Sequence, residues 1–217
     1  MRWISIIFSS LLIWLLCSAD GCNDSATMAE RREESQISAM KDSVRTVFEA
    51  ETPGINLLKA YEEAAKQKLI DFADYLKIAS DSSVNNVFRS QAAEMAGKLF
   101  IAGSSDLSCW EMHPSASGRI TLDSLLGSSL SNRMDSFIQP VQITVHKPLT
   151  PVNDSLYEGN LAFYPQRTCF IKPSSSVTGN EMFIINFYVS RKLKSFGKEN
   201  LSIWQVGLGD MKIAAKQ

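Results

Sequence analysis

Alternation near the carboxy-terminal end of the chain constrains its fold more than any other feature. Residues 182–211 read MFIINFYVSRKLKSFGKENLSIWQVGLGDM, and Phe183, Ile185, Phe187, Val189 and Leu193 recur at every second position, with Arg191 the exception. Asn186, Ser190 and Lys192 fall between them. Successive strand side chains point to opposite faces, so this is the pattern of a strand with one buried face. A turn signal at residues 195–200, containing Gly197, separates it from a second apolar run with Leu201, Ile203, Trp204, Val206 and Leu208, which predicts a long antiparallel hairpin. Apolar parity changes between Ile203 and Trp204, so the second strand carries a bulge there or is buried on both faces. An isolated hairpin is marginal in water and needs other layers against it.

Helices upstream supply such a layer. A first helix is expected over residues 28–49, with Ile37, Met40, Val44, Val47 and Phe48 as its stripe. The next runs to about Ala79, with Leu57, Leu58, Tyr61, Ala64, Ala65, Leu69, Phe72, Leu76 and Ala79 three or four apart. Pro53 fits its first turn, with Thr52 as cap, because a first-turn N–H has no helical partner to lose. Ser80, Asp81 and Ser82 end it and cap another helix, whose apolar set is Val84, Val87, Phe88, Ala92, Met95, Leu99 and Phe100. Only Arg89 and Lys98 are cations on that helix, so the pair reads as a packed helical hairpin and not a DNA-binding one. Residues 104–118 read as an irregular loop containing Cys109, Trp110 and His113, and a short helix capped by Thr121 is expected over residues 122–130.

Strands follow. Val141, Ile143 and Val145 alternate with Gln142, Thr144 and His146 after Pro140. Another strand begins near Leu156, with Tyr157, Leu161 and Phe163 on one parity, and is interrupted or bent at Pro165. Helices first and antiparallel strands afterwards define an α+β class, with amino-terminal helices on a curved sheet ending in the long hairpin. Over residues 54–211 this element order resembles the NTF2-like or cystatin-like superfamily. That resemblance implies a sheet wrapped around helices to leave a cone-shaped pocket, and in some members an enzyme.

The first residues speak of destination. After Arg2, residues 3–16 are apolar except for three serines, and CSADGC follows. As a helix this run is about 21 Å long at ~1.5 Å per residue, short of the ~30 Å hydrocarbon core, which favours a secretion signal over a stable anchor. The segment resembles a bacterial lipoprotein signal, in which a cysteine after a small residue is lipidated and becomes the mature amino terminus. Cys22 follows small Gly21 but has Asp20 and Ala19 before it, and Cys17 follows bulky Leu16. Cleavage after Ala19, leaving a soluble periplasmic or secreted protein, is the alternative, followed by an uncleaved anchor. The expected organisation is a signal over residues 1–22, a polar tether over 23–32, and one α+β domain over 33–217.

Chemistry is sparse. With 22 basic and 23 acidic side chains the net charge is -1, so no global field favours nucleic acid. Basic residues gather in RKLKSFGK, residues 191–198, at the hairpin tip, where lysines commonly protect strand ends. His113 and His146 lie in different elements without a paired acid, and Cys109 with His113 makes only half a zinc site, so no metal or cofactor is expected. GLGD at residues 207–210 precedes no helix and reads as a strand-end turn, not a phosphate loop. Asn186, Tyr188, Ser190 and Gln205 on the hairpin are candidate pocket residues. In an exported compartment Cys109 and Cys169 are a candidate disulfide, for which chain entropy allows ~4 kcal/mol of stabilisation.

The function that follows is a non-enzymatic binding or accessory module of the bacterial envelope, held to a membrane through a lipid and recognising an envelope protein or small ligand. An NTF2-like enzyme using His113 or His146 competes with it, as does a structural subunit of an envelope assembly. Material from the native envelope should lack Met1 to Leu16 by intact-mass analysis. A diacyl or triacyl mass addition, lost in either Cys22→Ala or Cys17→Ala, identifies the lipidated sulfur, whereas recovery of the intact leader would refute export.

Overall fold

Three or four residues separate the apolar side chains from Leu57 to Ala79, and they do form one helix face. The computed structural model describes residues 31–33, 35–37, 39, 52–110, 119–131, 136–169, 176–178, 181–196 and 199–214. It divides the chain into two compact units, Met1–Phe48 and Glu49–Gln217. In the first, the described residues between 31 and 39 are helical and exposed. The second is an α+β domain with helices α1 (Ile55–Ser80), α2 (Asn86–Gly97) and α3 (Leu122–Leu130) and strands β1 (Ser136–Asn153), β2 (Leu156–Cys169), β3 (Ser176–Thr178), β4 (Phe183–Phe196) and β5 (Glu199–Ile213).

The sheet is antiparallel, ordered β1-β2-β4-β5, with short β3 on β2. Helix α1 lies against β1, β2 and β5. Its buried residues include Tyr61, Ala65, Leu69, Phe72, Leu76 and Ala79, the expected stripe. From the sheet, Leu161, Phe163, Phe183, Ile185, Phe187, Val189, Val206 and Leu208 complete the core. Gly159 lies opposite Phe187, whose ring would stand 2.7 Å from any added Cβ. The glycine makes room for the ring.

The sheet curves because its strands are unequal. β1 has 18 residues and β2 has 14, and the four extra residues are taken up in four bulges. Each bulge bends and twists the strand. Gln142, in the first, has φ 55, a left-handed conformation uncommon outside glycine. Pro140, Pro148 and Pro151 are tolerated because β1 is an edge.

Several expectations are corrected. Gly54, not Thr52, is the N-cap of α1, and its carbonyl accepts the first helical bonds, from Leu57 and Leu58, which places Pro53 just outside the helix. Asn85 caps α2, its side chain accepting from the Val87 N–H at 2.9 Å. Thr121 caps α3 as its position implied. Strand β2 passes through Pro165 because pairing with β4 ends at Phe163 and pairing with β3 starts at Gln166, so no donor is missed between them. Residues 176–178 form β3. No bulge lies between Ile203 and Trp204. Register there is continuous, Trp204, Val206 and Leu208 facing the core while Leu201 and Ile203 are half-buried on the other face.

The expected apolar set of α2 is met only in part: Ala92, Leu99 and Phe100 are buried, but Val87, Phe88 and Met95 are not. Val87 and Phe88 are 63% and 62% exposed, whereas Arg89, Ala92, Ala93 and Ala96 face inward. Small residues let α2 approach α1 closely, and Ala79, Ala92 and Ala93 form their own buried cluster. Arg89 closes that junction. Its Nε donates to the Ala79 carbonyl at 2.8 Å, and its Nη2 donates to the carbonyls of Ser129 and Leu130 at 3.1 and 2.8 Å. One guanidinium thus serves the carboxy-terminal carbonyls of α1 and α3, where a cation also complements the helix dipoles. Replacing it leaves several buried acceptors unpaired. Arg89→Met should destabilise the domain by on the order of 3 kcal/mol in urea titrations, and Arg89→Lys by nearly as much because an ammonium lacks the planar fork. A change below about 0.5 kcal/mol would show that the clamp is dispensable.

Candidate functional site

Beyond its last pairing with β2, at Leu156↔Ser190, β4 has a different environment. Arg191 keeps one link to that side, its N–H donating to the Ser155 carbonyl at 2.9 Å. From Lys192 to Phe196 the strand pairs with β5 alone, from Ile203 back to Glu199, so the hairpin ends in a two-stranded arm. Leu193 keeps the parity of the core but is 72% exposed, since the arm has passed beyond the core-facing residues that bury Val189.

A second piece of chain meets the base of this arm. Leaving α2, the backbone runs beside β5, where the Leu208 N–H donates to Leu99 O at 2.9 Å and the Ile101 N–H donates to Leu208 O at 2.9 Å. Asp106 continues the attachment: its N–H donates to Asp210 Oδ1 at 2.8 Å and its carbonyl accepts from the Met211 N–H at 2.8 Å. Asp210 is available because Asn186 lies opposite two residues, Gly209 and Asp210, at the one register shift in the hairpin. The GLGD stretch is therefore part of β5, not the expected strand-end turn. Its glycines mark close approach, as an added Cβ would lie 2.7 Å from Ile101 Cγ1 at Gly207 and 2.5 Å from Tyr188 Cε2 at Gly209.

Between arm and attached segment is a shallow depression. Ser190 and Gln205, partners in the β4–β5 register, line it with Lys98 and Lys192. Phe100, Ile101 and the backbone around Gly207 form its apolar side. Its volume is about 10 Å³. One water needs roughly that much space and ligand pockets run from about 300 Å³ upwards, so the depression cannot enclose a metabolite. It can receive one polar group of a larger partner.

Of the expected pocket residues, Ser190 and Gln205 meet in this depression. Tyr188 lies over Gly209 and Asn186 faces the bulge, both half-buried on the same face. Lys98, Lys192, Phe100 and Ile101 were not expected here. Periodicity sees only neighbours along the chain, while the bridge between Phe100 and Leu208 is long-range. The paired glycines of β5 were the available signal.

Two cations, Lys98 and Lys192, line the depression. Lys98 pairs with Glu94, whose carboxyl is held below its ordinary value by the hydrogen bond from Lys98 and then by its charge. Lys68 on α1 has its pKa lowered, first by burial and then by repulsion from Lys194, with Asp71 opposing. The arm thus brings Lys194 within electrostatic reach of a half-buried ammonium.

Other candidates do not converge. His146 is exposed on β1, the opposite edge of the sheet from β5, while His113, Cys17 and Cys22 lie outside the described residues. Cys109 is a free thiol, so the expected bond to Cys169 is not formed in this structure; the side chain of Cys169 lies outside the described residues. Burial pushes the Cys109 thiol up to about 12, which leaves it protonated and unreactive near neutrality. Among the described residues no group of three or more His, Cys, Asp or Glu side chains is placed to hold a metal, and no helix is long and apolar enough to cross a membrane. Tyr61 Oη and Trp110 Nε1 are buried without hydrogen-bond partners among the described residues. Trp110 packs on Phe72, and three turns of α1, roughly 16 Å, separate Phe72 from Tyr61, so the two donors do not form one polar site.

No protein-family model, curated protein or solved structure matches the chain.

The depression depends on Asp106, which ties its far wall to β5. Its carboxylate accepts from the Ser108 hydroxyl at 2.6 Å and N–H at 3.0 Å, and pairs with Arg119 Nε at 3.0 Å. The Ser108 hydroxyl foremost, with that N–H and Arg119 adding and burial opposing, holds its pKa below the ordinary 3.8. The folded state therefore binds fewer protons between the folded and ordinary values, and this contribution is present above 3.8 and lost as pH falls through the folded pKa. Asp106→Asn should lower Tm at neutral pH and show a smaller further loss on acidification than the native chain. Parallel Tm-against-pH curves for the two would refute the assignment.

Proposed function

We propose that the protein is a non-enzymatic binding or accessory module of the bacterial cell envelope, exported through its amino-terminal segment, anchored there by lipid on Cys22 or Cys17, and engaging its partner through the depression at the base of the β4–β5 arm. The observation that carries the binding reading is the convergence of Ser190, Gln205, Lys98 and Lys192 on a recess too small to enclose a substrate. Catalysis needs groups with tuned protonation converging on one reacting atom. The recess instead offers hydrogen bonds and positive charge, which suffice for recognition. Export rests on the sequence of the first 22 residues alone.

Complementation of a deletion strain tests this reading. A His113→Ala, His146→Ala double variant, verified as folded, should restore the phenotype, whereas Gln205→Trp, which fills the recess, should not. Failure of the folded histidine variant would overturn the binding-module reading in favour of an imidazole-dependent enzyme.

A further inference from the structure

The outer edge of β5 is a strand edge only partly covered. Leu99 and Ile101 bond to Leu208, and residue alternation then turns the backbone groups of Ser202 and Asn200 to the same side. Neither of these has a backbone partner on that side among the described residues. An edge of this kind is a ready template for another strand. Its neighbourhood carries cations: Lys98 stands where α2 ends, in an exposed and therefore weak pair with Glu94, Lys192 reaches the same recess beside Gln205, and Lys194 lies next along that face of the arm.

We propose that this edge receives an acidic, extended segment of a partner protein, which adds as a strand beside β5 near Ser202 and Asn200 and sets its carboxylates against Lys98 and Lys192. The proposal rests on the binding-module reading above and names the partner's chemistry. Three features select this occupant. A second copy of the same arm would bring lysine against lysine. A lipid surface would need cations and an apolar anchor on one face, but Leu193, the arm's most exposed large apolar residue among those described, has the opposite parity to Lys192 and Lys194. An added strand satisfies backbone groups that a lipid headgroup leaves to water.

The test uses the full chain and a fluorescent heptapeptide alternating glutamate and valine, read by anisotropy. Binding should be saturable, weaken with salt, and weaken about tenfold in a folded Lys98→Glu, Lys192→Glu variant. Methylating alternate backbone nitrogens of the peptide should weaken it comparably, because charge remains while strand pairing is lost. Equal binding by the methylated peptide or by the double variant overturns the proposal. So does binding to phosphatidylglycerol vesicles without binding to the peptide. If the peptide fails to bind while Gln205→Trp still abolishes complementation, the recess remains the site and the occupant proposed here is wrong; if Gln205→Trp complements fully, the binding-module reading itself has failed.

Discussion

Phe72 is the contact on which the domain depends. It sits on the buried face of α1 with its ring edge-on to Phe100 at 4.8 Å and to Trp110 at 5.0 Å, and Trp110 lies 6.3 Å from Phe163, which is edge-on to Phe183 at 5.7 Å. Helix, connecting segment and two strands are thereby joined through one chain of rings. Each such pair adds about 0.5–1.5 kcal/mol beyond area burial, so the geometry is selected as well as the burial. Phe100 occupies this cluster only if the chain leaving α2 turns toward the sheet. That same turn lays Leu99 and Ile101 beside Leu208 and so builds the wall of the recess.

The two sheet edges are treated differently by this arrangement. β1 carries prolines, four bulges and exposed lysine, features that discourage pairing, and its Leu149 N–H is taken by Glu62 from α1. β5 is straight from Glu199 to Leu208, partly covered by the segment after α2, and glycine at Gly207 and Gly209 where that cover and the Tyr188 ring press close. One edge is closed by its own irregularity and by α1. The other is regular and flanked by cations.

Much of this was legible in the sequence. Period two placed β4, β5 and the half-buried Val141–Val145 run, and period three to four placed α1, because in each case the buried residues are large and recur on one face. The α2 face was legible only in part. Its inward residues are an arginine and alanines, of which only Ala92 stood in the expected stripe, while Val87 and Phe88 point outward. Pro165 does not interrupt β2 because the cost of a missing donor depends on whether a neighbour would have used it, and register decides that. Ser190 and Gln205 meet because cross-strand partners follow from the hairpin itself. The lysines that complete the recess depend on a long-range bridge.

The described interior is filled by aromatic side chains. A sheet curved over a helix can leave a cavity on its concave side, and the resemblance to cone-shaped folds raised that expectation. Here Phe72, Trp110, Phe163, Phe183 and Phe187 are fully buried on that side, and Gly159 is needed simply to admit one of those rings. Close-packed aromatics leave little room for a guest, and enlarging that room by truncating a ring costs about 3–5 kcal/mol. Those rings hold the helix against the sheet, and packing ends on the arm past Ser190, where β2 no longer covers β4 and the next residues in line are cations.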